Sequence, residues 1–295
     1  MSVLSLILRQ LVNGLQSGSI YALVALGYSM VYGIVRLLNF AHGDIIMVGA
    51  YAAWFCLCSF AYSPLIAVIA AISACVLLGV AIEKVAYAPL RQSPRLSLLI
   101  TAIGVSYLLE NVSQLIFGAA GKPLPSFLPT STVSLGIVEV SWTAVITVLV
   151  TAVTMVLLTL LVKKTKMGKA MRAVSEDMGT AQLMGINVNR TISFTFAVGS
   201  ALAGIASVLY CAAYPQVNPT MGSMLGLKAF VAAVLGGIGS IPGAMIGGFA
   251  IGVAEALVSA AGLSVWKDGV VFAILIIVLL VKPTGILGRK IQEKV

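Results

Sequence analysis

The chain has 295 residues, of which 60% are hydrophobic and 9% are charged, and its mean hydropathy is +1.09. Soluble globular domains carry roughly 25% charged residues, so a soluble protein is excluded. The formal charge of +9 does not indicate nucleic-acid binding, because the basic residues cluster beside apolar runs, as membrane topology requires. The composition therefore predicts a polytopic membrane protein.

Eight apolar runs are each long enough, or nearly so, to cross a bilayer as a helix, which takes ~20 residues. They cover residues 11–34, 44–61, 64–86, 96–117, 142–162, 191–213, 243–261 and 266–282. Helix is the expected state, because lipid offers backbone groups no hydrogen-bond partner, and the alternation of barrel strands is absent. We predict an all-α polytopic membrane protein with about eight transmembrane helices and a single transmembrane domain over 1–295.

The first polar interruption is RLLNFAHGDIIMVGAY (36–51), which places Asn39, His42 and Asp44 between two apolar runs. Irregular backbone at membrane depth must be buried in protein or line a wet cavity. One interpretation is a cluster that lines or gates a translocation path. The other is a helix N-cap with Asp44 in the first turn, where its charge suits the helix dipole. The two interpretations are compatible.

Two further carboxylates, Glu110 and Glu255, lie in apolar surroundings. An unpaired charge at the bilayer centre costs about 2.5–3.5 kcal/mol on insertion scales, so both should face the interior of the helix bundle. Two roles fit each of them: lining a polar translocation path, or locking helices together by a hydrogen bond. Neither belongs to a dense array of charges, so a dedicated proton- or sodium-coupling site is poorly supported.

Enzyme signatures are sparse. His42 is the only histidine, and no GxxxxGK[ST] motif occurs, which argues against a histidine-based metal site or triad and against a P-loop. The four cysteines lie in or at the end of apolar runs, where we expect them to act as small hydrophobic residues. We predict no catalytic residues and no metal site.

The distribution of basic residues predicts the orientation, because cytoplasmic loops are enriched in Lys and Arg. Fourteen of the 18 basic residues fall at positions assigned to the cytoplasm: Arg36, Lys84, Arg91, Arg95, Lys163, Lys164, Lys166, Lys169, Arg172, Arg190, Lys282, Arg289, Lys290 and Lys294. The loop 163–190 and the C-terminus are then cytoplasmic. The loop 118–141 is external, with a short hairpin predicted around Val133–Val140.

The longest polar stretch is KKTKMGKAMRAVSEDMGTAQLMGINVNR (163–190). Its apolar residues recur at helical spacing, and Arg172 and Glu176 are spaced to pair at i,i+4. The apolar stripe consists of Ala170, Val174, Met178, Ala181 and Met184, and glycines at 168, 179 and 185 divide the stretch. We predict one or two short amphipathic helices whose apolar face either meets a partner or lies on lipid headgroups.

A second break in the hydrophobic pattern is GGIGSIPG (236–243). The apolar run 227–235 before it is too short to span a membrane, so we predict a half-helix or re-entrant segment near 227–243, joined to the next span. Residues of this break are candidates for a gate: Gly236, Gly237, Gly239, Ser240 and Pro242. Small residues follow both breaks, which favours close helix packing.

Several of these blocks carry a family resemblance. NFAHGD (39–44), EKVAYAPLR (83–91), MGKAMRAVSEDMGTAQLMGIN (167–187), GGIGSIPGAMIGG (236–248) and KPTGILGR (282–289) resemble the branched-chain amino-acid ABC-transporter permeases. More narrowly, the chain is similar to the smaller, H-type permease subunit of the leucine/isoleucine/valine system. The resemblance covers nearly the whole chain, with departures in the loop 118–141 and at the N-terminus.

The resemblance implies a subunit of the bacterial inner membrane that moves leucine, isoleucine and valine by alternating access. It implies a second permease subunit, two cytoplasmic ABC ATPase subunits that hold the ATP and magnesium, and a periplasmic substrate-binding protein. The loop 167–187 would couple to the ATPases, through Gly168, Ala170, Met171, Arg172, Val174, Glu176, Met178, Ala181 and Gly185. Related permeases carry urea, short amides or small aromatic acids, and an ion-coupled secondary transporter is a further alternative.

Overall fold

The computed structural model describes residues 3–35, 38–60, 63–91, 93–129, 131–135 and 138–288. Arg36, Arg289, Lys290 and Lys294, on which part of the predicted orientation rests, lie outside them. The α-helices are α1 (Val3–Val35), α2 (His42–Trp54), α3 (Pro64–Ile82), α4 (Arg95–Phe117), α5 (Trp142–Lys164), α6 (Lys166–Glu176), α7 (Met178–Leu183), α8 (Val188–Ala213), α9 (Met221–Gly236), α10 (Ile241–Ala260) and α11 (Lys267–Val281). Two π-helical segments, Phe55–Ser59 and Glu83–Tyr87, continue α2 and α3.

Within the described residues, eight helices are long and apolar enough to cross a membrane, which confirms the predicted number of spans. The helix α9 is shorter, with 16 residues, or about 24 Å at 1.5 Å per residue. It begins six residues before the predicted half-helix and runs through a turn into α10. The apolar, all-α membrane architecture is therefore as the sequence predicts.

The helix α1 lies in the centre of the bundle and is mostly buried. It packs closely against α10, because Gly14 and Gly18 on α1 face Gly248 and Gly252 on α10. A Cβ atom at Gly252 would overlap the backbone at Gly14 and Gly18. Small residues thus bring the two backbones together, as expected for helices that pack in lipid. The helices α4, α5 and α11 lie at the periphery with large exposed apolar faces.

Four short strands of the described part of the chain lie at one end of the bundle. The strands β2 (Thr132–Leu135) and β3 (Val138–Ser141) form an antiparallel hairpin in which Val133 pairs with Val140, as predicted. The strand β1 (Lys122–Pro123) pairs with β4 (Gln216–Val217). Arg9 of α1 forms an ion pair with Glu139 of β3 at 3.2 Å. The start of α1 and the segment 118–141 therefore lie at the same end of the bundle.

The four cysteines are free thiols. Cys75 and Cys211 are buried, Cys56 is half-buried and Cys58 is exposed. The expectation of a small hydrophobic role therefore fits the two buried residues best. Cys75 also donates from its Sγ to the carbonyl oxygen of Ile45, at 3.2 Å.

Candidate translocation path and coupling helices

The first polar break folds back into the bundle. The helix α2 begins beside Gly27 of α1, eight residues or about 12 Å before α1 ends. The N-cap residue of α2 is Ala41, which has no side-chain capping bond, so the polar residues of this break do not occupy the N-cap position. His42 and Asp44 instead belong to the first turn, where Asp44 bonds to Ser106 of α4. The prediction that Asp44 lies in that first turn is confirmed.

Asp44 is buried where the N-terminal ends of two helices meet. Gly43 on α2 and Gly222 on α9 approach so closely that neither has room for a Cβ atom, and one oxygen of Asp44, Oδ1, lies against Gly222. The other oxygen, Oδ2, accepts a hydrogen bond from Ser106 on α4. Within the described residues, no basic side chain pairs with Asp44. The positive ends of the two helix dipoles lie against it instead.

Glu110 lies one helical turn beyond Ser106 on the same face of α4. It is buried and accepts a hydrogen bond from Ser223 on α9. Asp44, Ser106, Glu110 and Ser223 therefore form a polar group, here called the carboxylate pair site, that joins α2, α4 and α9. The structure thus brings two of the predicted path residues, Asp44 and Glu110, close together. The prediction that Glu110 faces the interior is confirmed.

Asn39 and His42 flank this site. Asn39 is buried, and its Oδ1 accepts a hydrogen bond from the hydroxyl of Tyr87, at 2.7 Å. His42 is buried against the ring of Tyr28, with ring centroids 4.9 Å apart. Its Nε2 has no hydrogen-bond partner among the described residues. The polar cluster therefore continues from the carboxylate pair site toward the end of α3.

Glu255 lies in a separate cluster. Its Oε1 is 2.7 Å from Lys228 Nζ on α9, and that Nζ is also 2.7 Å from Asp268 Oδ1 on α11. The hydroxyl of Tyr21 on α1 donates to Glu255 Oε2 at 2.7 Å. This group, here called the lysine cluster, ties four helices together around one buried cation. Glu255 faces the interior as predicted, with a charged partner that the sequence reasoning did not identify.

The glycine-rich break lies at one end of the bundle rather than halfway along it. Gly239 lies against Gly33 near the end of α1. The chain after α11 covers the turn, because the backbone N–H groups of Ile286 and Leu287 donate to the carbonyl oxygens of Leu235 and Gly236 at 2.8 and 2.9 Å. Gly237 and Gly239 have positive φ angles of 102° and 90°, which glycine adopts without strain.

The remaining two candidates of this break belong to the start of α10. The Ser240 side chain accepts from the Gly243 N–H at 3.2 Å and caps α10, and Pro242 lies in its first turn, both favourable arrangements at a helix N-terminus. The structure does not bring the five candidates of this break near Asp44 or Glu110.

The stretch 163–190 forms two short helices, α6 and α7, as predicted. Asp177 separates them and caps α7 by accepting from the Thr180 N–H at 2.6 Å, and Gly185 follows α7 with a φ of 81°. The segment that they form is bounded by Thr165, which caps α6, and Asn187, which caps α8. Short polar side chains at these three positions explain where each helix begins.

The apolar face of α6 is not free for a partner. Met171 and Val174 are each 1% exposed, and α6 packs against α1, α5 and α8. Gly168 and Ala181 are also buried, and Ala170 is half-buried. The exposed apolar side chains are instead Met178 of α7 and the two residues at its end, Leu183 and Met184.

The predicted ion pair between Arg172 and Glu176 does not form. Arg172 donates to the carbonyl oxygen of Lys163 at 3.4 Å, and Glu176 is exposed. Exposed pairs of this kind contribute only about 0–1 kcal/mol, whereas free carbonyl groups at the C-terminal end of α5 attract a cation.

Three groups of polar residues were missed by the sequence reasoning. Lys228 pairs with both Glu255 and Asp268, and Ser106 and Ser223 support the carboxylate pair site. Glu83 is buried and pairs with Arg91. Among the described residues, no group of three His, Cys, Asp or Glu side chains is arranged to hold a metal ion.

The chain matches a known family over most of its length. The model of the family described as "Branched-chain amino acid transport system / permease component" matches residues 10–279. The chain belongs to this permease family. Its helices α1 to α11 therefore form a multi-pass membrane permease component.

Individual members of the permease family are also similar over nearly their full length. The chain is 46% identical to the high-affinity branched-chain amino acid transport system permease protein BraD of Pseudomonas aeruginosa, over 98% of this chain and 98% of the relative. It is 46% identical to LivH of Salmonella typhimurium, over 98% and 97%. It is 31% identical to a probable LivH of Methanocaldococcus jannaschii, over 92% and 89%.

Proposed function

We propose that this permease is the smaller membrane subunit of an ABC importer that carries leucine, isoleucine and valine into the cell. The observation that carries the proposal is the 46% identity over 98% of the chain to a high-affinity branched-chain amino acid permease. The partners are a second permease subunit, two cytoplasmic ATPase subunits and a periplasmic substrate-binding protein. ATP and magnesium bind to the ATPase subunits, and this chain has no ATPase site of its own.

The segment α6–α7 transmits the force of ATP hydrolysis in this proposal. It faces the cytoplasm, with the C-terminus on the same side. Leu183 and Met184 are 89% and 79% exposed, and such apolar anchors are typical of a helix that docks in a partner's groove. Because α6 packs against α1, α5 and α8, a displacement of α7 by the ATPase moves the buried helices of the bundle as well.

The path for the substrate runs along the carboxylate pair site. A branched-chain amino acid is a zwitterion with an apolar side chain, so a mostly apolar path with a few polar groups suits it. Asp44 and Glu110 lack a basic partner among the described residues and attract the substrate's ammonium group. Alternating access then results from rocking of the helices that carry them, α2 and α4.

The test is uptake by the reconstituted complex. With all partners present, radiolabelled leucine should accumulate in proteoliposomes only when ATP is hydrolysed. A complex that hydrolyses ATP in response to urea or an amide, and not to leucine, isoleucine or valine, would overturn the choice of substrate. Accumulation by this chain alone with an ion gradient would overturn the ABC mechanism.

Met178→Asp tests the segment α6–α7, here called the coupling segment. A charge on the exposed face of α7 should lower leucine uptake about tenfold or more, because burying an unpaired charge in a partner's groove costs several kcal/mol. The protein should stay folded, since Met178 is partly exposed. Thr180→Asp is the matched control, because Thr180 is a polar, exposed residue of the same helix. Wild-type uptake by Met178→Asp would contradict the docking role.

A further inference from the structure

A half-open cavity of about 510 Å³ lies beside the start of α8, away from the carboxylate pair site. Its charged walls come from Glu83, Lys84 and Arg91, and its polar walls from Asn189 and Ser193 of α8. Pockets for small molecules commonly measure ~300–1,000 Å³. The cavity therefore has the size of a site for a small ligand, in a part of the protein to which no role has been given.

The charges of this cavity are unbalanced. Glu83 is 1% exposed, and its two carboxylate oxygens accept from Arg91 and from the Ser193 hydroxyl. Arg91 also donates to Asn189. Lys84 is exposed and forms no ion pair within the described residues. Two cations therefore face one carboxylate, and the cavity carries an excess positive charge that favours an anionic group.

A small apolar recess of about 70 Å³ shares two lining residues with the cavity, Glu83 and Arg91. Its apolar walls are Val35, Leu98, Met178, Ile192 and Phe196. About 10–15 Å³ of such space holds one water-sized group, so the recess has room for roughly five to seven such groups. That is the size of a short branched side chain.

We propose that the cavity and its recess bind a free branched-chain amino acid on the side of the membrane where α6 and α7 lie. The carboxylate of the ligand meets Lys84 and Arg91, and its side chain enters the recess. Its ammonium group meets Glu83, because a carboxylate has about four lone-pair sites and Arg91 and Ser193 use two. The choice of ligand and of the cytoplasmic side rests on the proposed function.

The position of Met178 links this site to transport. Met178 lies in the wall of the recess and belongs to α7, the exposed part of the coupling segment. A ligand that touches α7 stabilises the conformation in which the recess exists. The ligand shifts the protein toward that conformation only to the extent that its affinity for that conformation exceeds its affinity for the other conformations. Imported amino acid that accumulates inside therefore slows further import.

The experiment uses the complete complex in proteoliposomes. Initial uptake of external radiolabelled leucine is measured with empty vesicles and with vesicles that contain unlabelled leucine at millimolar concentration. Internal leucine should slow the wild-type complex at least threefold, and internal leucinamide, which lacks the carboxylate, should not. In Lys84→Gln, the half-inhibiting concentration should rise about tenfold, the effect of losing a charge-assisted hydrogen bond.

Two variants separate the site from general effects of mutation. Lys267→Gln is the matched control, because it neutralises another exposed lysine at the first residue of α11, and it should be inhibited like the wild type. Leu98→Phe adds bulk to the recess and should remove inhibition by leucine while leaving uptake into empty vesicles unchanged. Both Lys84 and Leu98 lie outside the carboxylate pair site and the coupling segment.

The outcomes distinguish this site from the proposed function. If empty vesicles take up no leucine, the proposed function fails. If empty vesicles take up leucine normally but internal leucine does not slow uptake, the proposed site is overturned. It is equally overturned if internal leucine slows uptake by the Lys84→Gln complex as much as uptake by the wild-type complex. The proposed site is also overturned if native mass spectrometry finds a phospholipid bound to the wild-type complex that is absent from the Lys84→Gln complex and that leucine does not displace.

Discussion

The carboxylate pair site and the lysine cluster accommodate buried acidic side chains in opposite ways. Both hold acidic side chains in the interior of an apolar helix bundle. In the lysine cluster, Lys228 Nζ lies 2.7 Å from Glu255 and 2.7 Å from Asp268. In the carboxylate pair site, Asp44 and Glu110 are bonded to neutral hydroxyl groups, those of Ser106 and Ser223.

The difference indicates different roles. A cluster that contains its own cation stabilises the positions of the helices that carry it, α1, α9, α10 and α11. Two carboxylates without a cation leave negative charge that a passing ammonium group can neutralise. Charged residues within membrane spans are costly and are typically retained for function. We therefore propose that Asp44 and Glu110 serve transport and that Lys228 serves the stability of the bundle.

Replacement of Lys228 should have the largest effect on stability. Lys228→Met leaves Glu255 buried without its cation, and breaking a buried pair in this way typically costs about 3–5 kcal/mol. We expect a large loss of folded protein in thermal unfolding of the detergent-solubilised complex. Lys228→Met combined with Glu255→Gln should recover part of the loss, because it also removes the orphaned charge. Equal instability of the single and double variants would refute the pairing.

The apolar pattern predicts much of this fold, because lipid imposes the length and composition of each span. The sequence also identifies Asp44, Glu110 and Glu255 as interior residues, since a carboxylate in an apolar run has few other places to lie. It does not reveal their partners. Lys228 precedes Glu255 by 27 positions and Asp268 follows it by 13, so no helical spacing connects them and only the packing of α9, α10 and α11 brings them together.

The coupling segment illustrates a second limit of sequence reasoning. Helical periodicity correctly predicts that Val174 and Ala181 lie on an apolar face, but periodicity does not say what covers that face. The structure shows that the rest of the chain covers Val174 and Met171, whereas Leu183 and Met184 remain exposed. Similarly, an i,i+4 spacing predicts the pair Arg172–Glu176, although a nearby carbonyl group at the end of α5 competes successfully for Arg172.

Replacement of the two unpaired carboxylates should affect transport more than stability. Asp44→Asn and Glu110→Gln retain an oxygen that accepts from Ser106 or Ser223, so the free energy of unfolding should change by about 1 kcal/mol or less. Leucine uptake should fall about tenfold, since a charge-assisted hydrogen bond to the substrate becomes a neutral one. Unchanged uptake in both variants, with normal folding, would remove these residues from the path.

The smallest effect is expected at Tyr21, and it tests whether the lysine cluster depends on its cation or on its hydroxyl. Tyr21→Phe removes the 2.7 Å hydrogen bond to Glu255 but leaves Lys228 in place, so unfolding should become easier by only about 1 kcal/mol. Tyr51→Phe is the matched control, because the buried Tyr51 hydroxyl has no hydrogen-bond partner among the described residues, and its removal should not destabilise the protein. A loss at Tyr21 as large as that at Lys228 would mean that the hydroxyl, rather than the cation, keeps Glu255 in the bundle.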